Sequence, residues 1–161
     1  MEVFMNQDDL IVSKTNLKGH VTYGNEYFIK MSGYTEQELL NSPHNILRHE
    51  DMPRVVFKLL WDRIQNKESI NAYVKNKTKD GNYYWVYANV TASLDSRGSL
   101  IGYYSVRRKP SQSGVEAISK LYKELLESES RGGLANSLKL LEEKLDYAGV
   151  GYDEFISTLQ Q

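Results

Sequence analysis

Residues 69–109, SINAYVKNKTKDGNYYWVYANVTASLDSRGSLIGYYSVRRK, decide the fold of this chain because their apolar side chains recur at every second position. The turn sequences Asp80-Gly81 and Asp95-Ser96-Arg97-Gly98 divide the stretch into three strands. Alternate side chains of the middle strand fall on two faces: Tyr83, Trp85, Tyr87, Asn89 and Thr91 on one, and Tyr84, Val86, Ala88, Val90 and Ala92 on the other. The pattern predicts an antiparallel meander, and the second face, which is smaller and apolar, suits a flat guest molecule.

The segment before the meander alternates between short strands and short helices. Residues 11–16 and 21–23 predict a small hairpin around a glycine-containing turn. A first helix is expected over residues 25–32, because a glycine follows it. Residues 51–65 predict the one longer helix, since their apolar side chains recur at spacings of three and four. The order of elements is thus two strands, several short helices, one longer helix and three strands.

The segment after the meander is predicted to be helical. Residues 110–114 interrupt the strand pattern, and an amphipathic helix follows them. Arg131-Gly132-Gly133 breaks the chain again, and two further apolar stripes lie beyond it, separated by Gly149-Val150-Gly151. These breaks predict an α+β domain over residues 1–110 and a C-terminal helical segment over residues 111–161.

Composition excludes several classes of protein. Twenty Lys and Arg against 21 Asp and Glu give a net charge of -1, so nothing in the balance favours nucleic acid or an anionic membrane. No stretch approaches the roughly 18 apolar residues of a membrane span, so we expect a cytoplasmic protein that does not insert into the membrane. The absence of cysteine excludes disulfides, thiolate metal sites and cysteine nucleophiles. No nucleophile motif, P-loop or dinucleotide fingerprint is present, so an enzyme is not expected.

Two motifs carry a family resemblance. Residues 32–39 read SGYTEQEL, and residues 43–53 read PHNILRHEDMP. The first resembles a segment of PAS domains, the second resembles a segment of flavin-binding aerotaxis receptors, and the resemblance extends over about residues 10–127. It implies a five-stranded antiparallel sheet with a helical flank that encloses a pocket. It also implies non-covalently bound FAD, whose redox state reports electron-transport or oxygen status to a chemotaxis signalling module. Without a membrane anchor or a kinase-control hairpin, the chain resembles short PAS-only energy-taxis proteins that work with a separate membrane receptor.

The resemblance also implies which residues bind the cofactor: Asn25, Arg48, His49, Asp51, Trp61, Asn76 and Arg107. An asparagine amide such as that of Asn76 can present a donor and an acceptor to the edge of a flavin ring. The Trp61 indole can stack on a flat ligand, and the Arg48 guanidinium can bind a pyrophosphate or hold a carboxylate. Arg107, if it points inward, would favour an anionic reduced flavin.

Five of these residues also have a purely structural interpretation. Asn25 and Asp51 are suited to cap the helices that follow them, and we expect Asp51 to act mainly in this way. Asn76 could end a strand, and Trp61 could fill the core. Arg107 could lie exposed at the sheet edge.

Two other kinds of PAS domain remain open at this point. Some bind haem through a histidine, and either His49 or His44 could be the ligand. Others are interaction modules whose own side chains fill the pocket.

The C-terminal residues 134–161 are predicted to dock on another surface, because an isolated amphipathic helix of this length is marginal in water. The candidate surfaces are the aromatic sheet face around Tyr83, Trp85 and Tyr87, a second copy of the chain in a homodimer, and a membrane chemoreceptor or other chemotaxis signalling protein. We expect this segment to be a docking or dimerisation element rather than part of the sensor core.

Overall fold

The predicted sheet forms, with five antiparallel strands. The computed structural model describes residues 1–161, and its strands are β1 (Ile11–Asn16), β2 (Val21–Gly24), β3 (Ile70–Lys77), β4 (Tyr83–Leu94) and β5 (Leu100–Arg108). Their order across the sheet is β2-β1-β5-β4-β3. The first strand therefore lies inside the sheet, between β2 and β5, and Ile11 pairs with Arg107 and Asn16 with Gly102 of β5.

Short helices connect β2 to β3, and longer ones follow β5. They are α1 (Glu26–Ser32), α2 (Glu36–Leu39), a 3₁₀ turn (His44–Leu47), α3 (Arg54–Gln65), α4 (Gln112–Ala148) and α5 (Tyr152–Gln160). The predicted stop of α1 is confirmed, because Gly33 follows it in the left-handed region at φ 78°. None of the helices is long and apolar enough to cross a membrane.

The two faces of the sheet support two separate cores, as the alternation in β4 predicts. On the inner face, Tyr84, Val86 and Ala88 pack with residues of α1, α2 and α3. On the outer face, Tyr73 and Trp85 pack against the C-terminal helices. Helix α3 runs along the boundary, since it contributes buried side chains to both cores.

Helix α4 is a helical hairpin. It breaks at Gly133, whose φ of 77° and ψ of -167° are outside the helical region, as the glycine pair predicts. The arms run antiparallel, because Asn136 Nδ2 donates to Ser128 O at 2.9 Å and Lys144 Nζ lies 2.7 Å from Glu124 Oε2.

The C-terminal segment covers the outer face of its own sheet, which is the first of the three candidate surfaces. Tyr122 Oη donates to Tyr73 O at 2.6 Å, and Tyr152 Oη donates to Asn71 O at 2.9 Å. Leu141 and Ile156 are buried in the outer core. Residues 111–161 thus share a core with the sheet, and their role as a docking or dimerisation element stays a prediction.

The expectation that Asp51 caps α3 was wrong. Asp51 Oδ2 pairs instead with Lys75 Nζ on β3 at 2.7 Å, because Met52 and Pro53 separate Asp51 from the first turn of the helix. The amide groups of Arg54 and Val55 donate to the carboxylate of Glu129, at 2.9 and 3.0 Å. The cap therefore comes from α4.

The start of α4 provides a test of the outer core. A Cβ added at Gly114 would lie 2.3 Å from Tyr73 Oη, 2.6 Å from Ser111 Oγ and 2.8 Å from Leu159 O. We expect Gly114→Ala to lower the free energy of unfolding by about 1–2 kcal/mol, because overpacking outweighs the gain of about 1 kcal/mol in helix propensity. Chemical denaturation would measure this.

Gly151→Ala is the control, since a Cβ there meets nothing within 4 Å and the expected cost is only the replacement of the glycine N-cap of α5, about 0.5 kcal/mol. Equal stability of the two variants would contradict this account of the packing.

Candidate functional site

A cavity of about 540 Å³ lies between the inner face of the sheet and helix α3. Its volume is within the roughly 300–1,000 Å³ of small-molecule sites. The residues that line it come from the sheet (Val74, Asn76, Ala88, Val90, Tyr103, Ser105, Arg107), from α3 (Phe57, Leu60, Trp61, Ile64) and from turns (Leu17, Lys18, Gly19, Pro43, His44, Asn45, Arg48). Ala88 and Val90 thus leave room for a guest on the face where the sequence predicts one.

Four of the seven residues proposed from the sequence line this cavity: Arg48, Trp61, Asn76 and Arg107. Asn76 is buried on β3 opposite Tyr84, and its backbone bridges to that of Arg48. Trp61 is 45% exposed, so it lies at the cavity mouth rather than in the core. The Arg48 guanidinium lies 3.7 Å from the ring centre of Phe57, which holds it against the cavity wall.

The other three residues do not line the cavity, and each has a protein partner. Asn25 Oδ1 accepts hydrogen bonds from the amides of Phe28 and Val12, which makes Asn25 the predicted cap of α1. His49 Nδ1 accepts from the amide of Asp51 at 3.0 Å. Asp51 forms its ion pair with Lys75, so the cofactor-binding roles of these three residues stay predictions.

Arg107 points inward and is only 2% exposed, so the sheet-edge interpretation was wrong. Its register opposite Ala88 places it on the inner face. Nη2 donates to Ser13 Oγ, Nη1 lies 3.4 Å from His44 Nε2, and the guanidinium carbon lies 4.9 Å from the ring centre of Phe28. Burial lowers the pKa of Arg107 to about 10, so it is charged at neutral pH.

No carboxylate lies near enough to Arg107 to form an ion pair with it. A buried charge is costly unless an opposite charge or hydrogen bonds compensate it. The end of the cavity formed by Arg107 and His44, called the cavity floor below, is therefore electropositive. It favours a ligand group that is negative or rich in acceptors.

His44 completes the cluster around Arg107. Its ring stacks on Phe28 with centroids 5.8 Å apart, and Nε2 lies 3.1 Å from Ser13 Oγ. Burial, with a further effect of the Arg107 charge, lowers the pKa of His44 to about 3. His44 is therefore neutral at physiological pH.

Two buried polar atoms close to the cavity have no hydrogen-bond partner, namely Tyr84 Oη and Arg107 Nε. Arg107 lines the cavity, whereas Tyr84 belongs to the inner core behind it. Because burial raises the pKa of Tyr84, its hydroxyl stays protonated and able to donate. Buried donors are nearly always paired in folded proteins. The two atoms therefore leave hydrogen-bonding capacity unused beside the cavity.

Sequence analysis missed Ser13 and Tyr84, whose polar atoms lie behind the cavity lining next to Arg107 and in the inner core. Both carry a usable signal, since Ser13 lies on the same face of β1 as apolar Ile11 and Tyr84 lies on the small-residue face of β4. A polar atom at a buried position of an inner face indicates a polar cluster within it.

The fold is that of PAS and light-oxygen-voltage domains. A light-oxygen-voltage domain studied with a flavin analogue superposes with a TM-score of 0.60 at 20% identity, over 69% of this chain and 83% of that chain. A PAS domain from Colwellia psychrerythraea superposes with a TM-score of 0.58 at 16% identity, over 62% of this chain and 85% of that one. At these identities the likeness establishes the fold.

The chain belongs to the PAS family, because the family model described as "PAS fold" matches residues 21–107. It is 38% identical over 118 residues to the aerotaxis receptor of Escherichia coli K12, which covers 73% of this chain and 23% of the receptor. It is 27% identical over 104 residues to a nitrogen fixation regulatory protein of Klebsiella pneumoniae, which covers 65% of this chain and 21% of that protein. The chain thus spans less than a quarter of these relatives.

The low pKa of His44 predicts how stability depends on pH. Below about 6.5 the unfolded chain binds a proton at His44 that the folded protein does not accept until about pH 3. Between these values His44 should make the free energy of unfolding fall by up to about 1.4 kcal/mol for each pH unit of acidification.

His44→Gln should reduce this slope between pH 6.5 and 4.5, measured by denaturation at several pH values. His20→Gln, a change in the β1–β2 turn, is the control. An unchanged slope in His44→Gln would contradict the burial of a neutral imidazole.

Proposed function

We propose that this PAS domain is a redox or oxygen sensor that binds FAD in the cavity and signals by conformational change to a chemotaxis receptor. It acts in the cytoplasm and catalyses no turnover of its own. The observation that carries the proposal is a buried Arg107 without an ion-pair partner that lines the same cavity as Asn76.

The polar groups of the floor fit the isoalloxazine ring of a flavin. That ring is flat and presents carbonyl oxygens and ring nitrogens along its edges, which match the amide of Asn76 and the guanidinium of Arg107. Bound there, the flavin would supply a redox change that alters its charge. The fixed charge of Arg107 would favour a reduced, anionic ring, and about 1.4 kcal/mol of such preference shifts a two-electron potential by about 30 mV.

The mouth of the cavity supports FAD rather than a smaller flavin. Arg48 and Lys18 both line the cavity and are exposed, so their positive charges face the solvent end. A guanidinium binds phosphate oxygens in a bidentate manner, and an ammonium binds them as a point charge. The pyrophosphate of FAD would lie between these groups, while Trp61 would cover the ring.

The relatives support the signalling part of the proposal. The similarity to an aerotaxis receptor covers most of the chain, and a biofilm dispersion protein of Pseudomonas aeruginosa, BdlA, is 28% identical over 89 residues, which covers 52% of this chain and 20% of that protein. From the similarity to an aerotaxis receptor, we infer that the domain signals to a chemotaxis receptor or a further signalling protein. A second copy of the chain is the other candidate partner.

Haem is the alternative cofactor, and it would need His44, since His49 does not line the cavity. The Nε2 atom of His44 is engaged by Ser13 and faces the charge of Arg107. A cationic iron beside a buried guanidinium is electrostatically unfavourable. Flavin therefore suits this floor better.

The cofactor can be identified directly. The purified protein should be yellow with a structured flavin spectrum, and heat or acid should release FAD, which chromatography distinguishes from FMN. A Soret band, FMN as the sole flavin, or a colourless protein that takes up no added FAD would each contradict the proposal.

Asn76→Ala should weaken flavin binding by about 10- to 100-fold, because it removes a hydrogen bond and leaves a buried ligand atom unpaired, a loss of about 1–3 kcal/mol. The ratio of bound flavin to protein and a titration of the apoprotein would measure this. Asn71→Ala is the matched control, since Asn71 lies on the same strand but bonds to Asn89 outside the cavity. Equal occupancy in the two variants would rule out the placement of the ring beside Asn76.

A further inference from the structure

Tyr84 carries a buried hydroxyl group that has no hydrogen-bond partner in the protein. Its side chain is fully buried and belongs to the inner core behind the cavity. A hydroxyl can donate one hydrogen bond and accept others, and a buried one is nearly always paired. Packing alone does not explain this hydroxyl, since a phenylalanine would fill nearly the same space without a polar atom.

The neighbour of Tyr84 across the sheet is Asn76. The two residues are paired in the register of β3 and β4, so both side chains lie on the inner face. Residues that stand opposite each other in antiparallel strands have Cβ atoms about 4.5–5.5 Å apart. Asn76 lines the cavity, whereas Tyr84 lies behind it. Any effect of Tyr84 on a bound ligand therefore passes through the Asn76 amide.

The hydroxyl of Tyr84 is influenced by two polar neighbours. Burial raises the pKa of Tyr84, while the positive charge of Arg107 and the Asn76 amide lower it. Both groups are therefore close to the phenol, although neither makes a hydrogen bond of good geometry to it. Arg107 Nε is itself buried without a partner. These three side chains thus form one buried polar cluster beside the cavity.

The charge of Arg107 determines the direction of the Tyr84 hydroxyl. A guanidinium has donors only, so the oxygen is the end of the O–H dipole that faces it. The hydroxyl hydrogen then points away from Arg107 and needs an acceptor. Of the two amide atoms of Asn76, only Oδ1 can accept. Because the direction of an asparagine amide follows from its partners, Nδ2 is left to face the cavity.

We propose that Tyr84 is a positioning residue for Asn76, and that its hydroxyl holds the amide with Oδ1 toward the core and Nδ2 toward the cavity. A ligand then meets donors at two points, the Asn76 amide nitrogen and the Arg107 guanidinium. The site selects a flat ligand whose edge carries acceptors, such as ring carbonyl oxygens. A ligand that turns N–H groups toward these points is rejected, because buried donors on both sides stay unpaired.

The orientation of the amide is a property of the protein without a ligand. Its effect on ligand choice rests on the proposed binding of FAD. The two parts are therefore tested by separate measurements, one on the apoprotein and one with the flavin.

Infrared spectroscopy of the apoprotein, with tyrosine labelled by carbon-13 in the ring, tests the orientation. The C–O stretching band of a tyrosine differs between a hydroxyl that donates a hydrogen bond and one that only accepts, and Tyr84→Phe identifies the band of Tyr84. We expect the band of a donor. Asn76→Ala should move it to the position of a hydroxyl that does not donate. Asn71→Ala is the matched control and should leave it in place, since Asn71 bonds to Asn89 outside the cavity.

A double-mutant cycle with FAD tests whether Tyr84 acts through Asn76. Tyr84→Phe removes only the hydroxyl and should weaken FAD binding about 2- to 10-fold, which corresponds to one neutral hydrogen bond. In the Asn76→Ala background the same substitution should change the affinity by less than about twofold, because no amide is left to orient. Tyr87→Phe is the matched control and should leave the affinity unchanged, since Tyr87 packs against the outer core.

The outcomes separate this inference from the proposed function. A Tyr84 band of a hydroxyl that only accepts, or a band that Asn76→Ala leaves in place, would overturn the orientation. Multiplicative effects of Tyr84→Phe and Asn76→Ala on FAD affinity would overturn the positioning role alone. A protein that takes up no FAD would overturn the proposed function, and the apoprotein band would still decide the orientation. The shift of a tyrosine band in Asn76→Ala keeps the inference falsifiable if Tyr84→Phe does not fold.

Discussion

Both faces of this sheet carry large apolar side chains, and neither face can be left in water. The strand β4 sets this constraint, because Tyr84 and Val86 point to one side while Trp85 and Tyr87 point to the other. Short helices cover the inner side and the C-terminal helices cover the outer side. The sheet is therefore the middle layer of three, and each outer layer owes its position to the side chains of one face.

The fold was predictable because its signals are local. Alternation within β4, the turns at Gly81 and Gly98, and the breaks before Gln112 and at Gly133 each depend on neighbouring residues, and each was found where the sequence places it. For residues 134–161 the sequence left three candidate surfaces open, of which the outer face of the sheet is the one observed. An apolar stripe indicates that a helix is buried, but it does not indicate which surface the helix packs against.

The candidate site was predictable only in part. The resemblance supplies Asn76, Trp61 and Arg107, which line the cavity, but also His49 and Asp51, whose side chains have other partners. The Ser13, His44 and Arg107 cluster brings together β1, a 3₁₀ turn and β5. A cluster formed by three elements that are distant in sequence cannot be predicted from a pattern of neighbouring residues. The cap of α3 by Glu129 could not be predicted for the same reason. Asp51 is close to the helix in sequence and was the simpler candidate, whereas Glu129 reaches the helix only through the tertiary structure.

The position of β1 between β2 and β5 has a consequence for how the chain folds. Ile11 pairs with Arg107, so the first strand cannot complete its hydrogen bonds until the last strand has been synthesised. Closing so long a loop carries a large entropic cost, whereas β3, β4 and β5 pair as consecutive hairpins. We therefore expect the meander to assemble early and the insertion of β1 beside β5 to limit the rate of folding. During synthesis on the ribosome, β1 can pair with β2 early, but its other edge would stay unpaired until β5 has emerged.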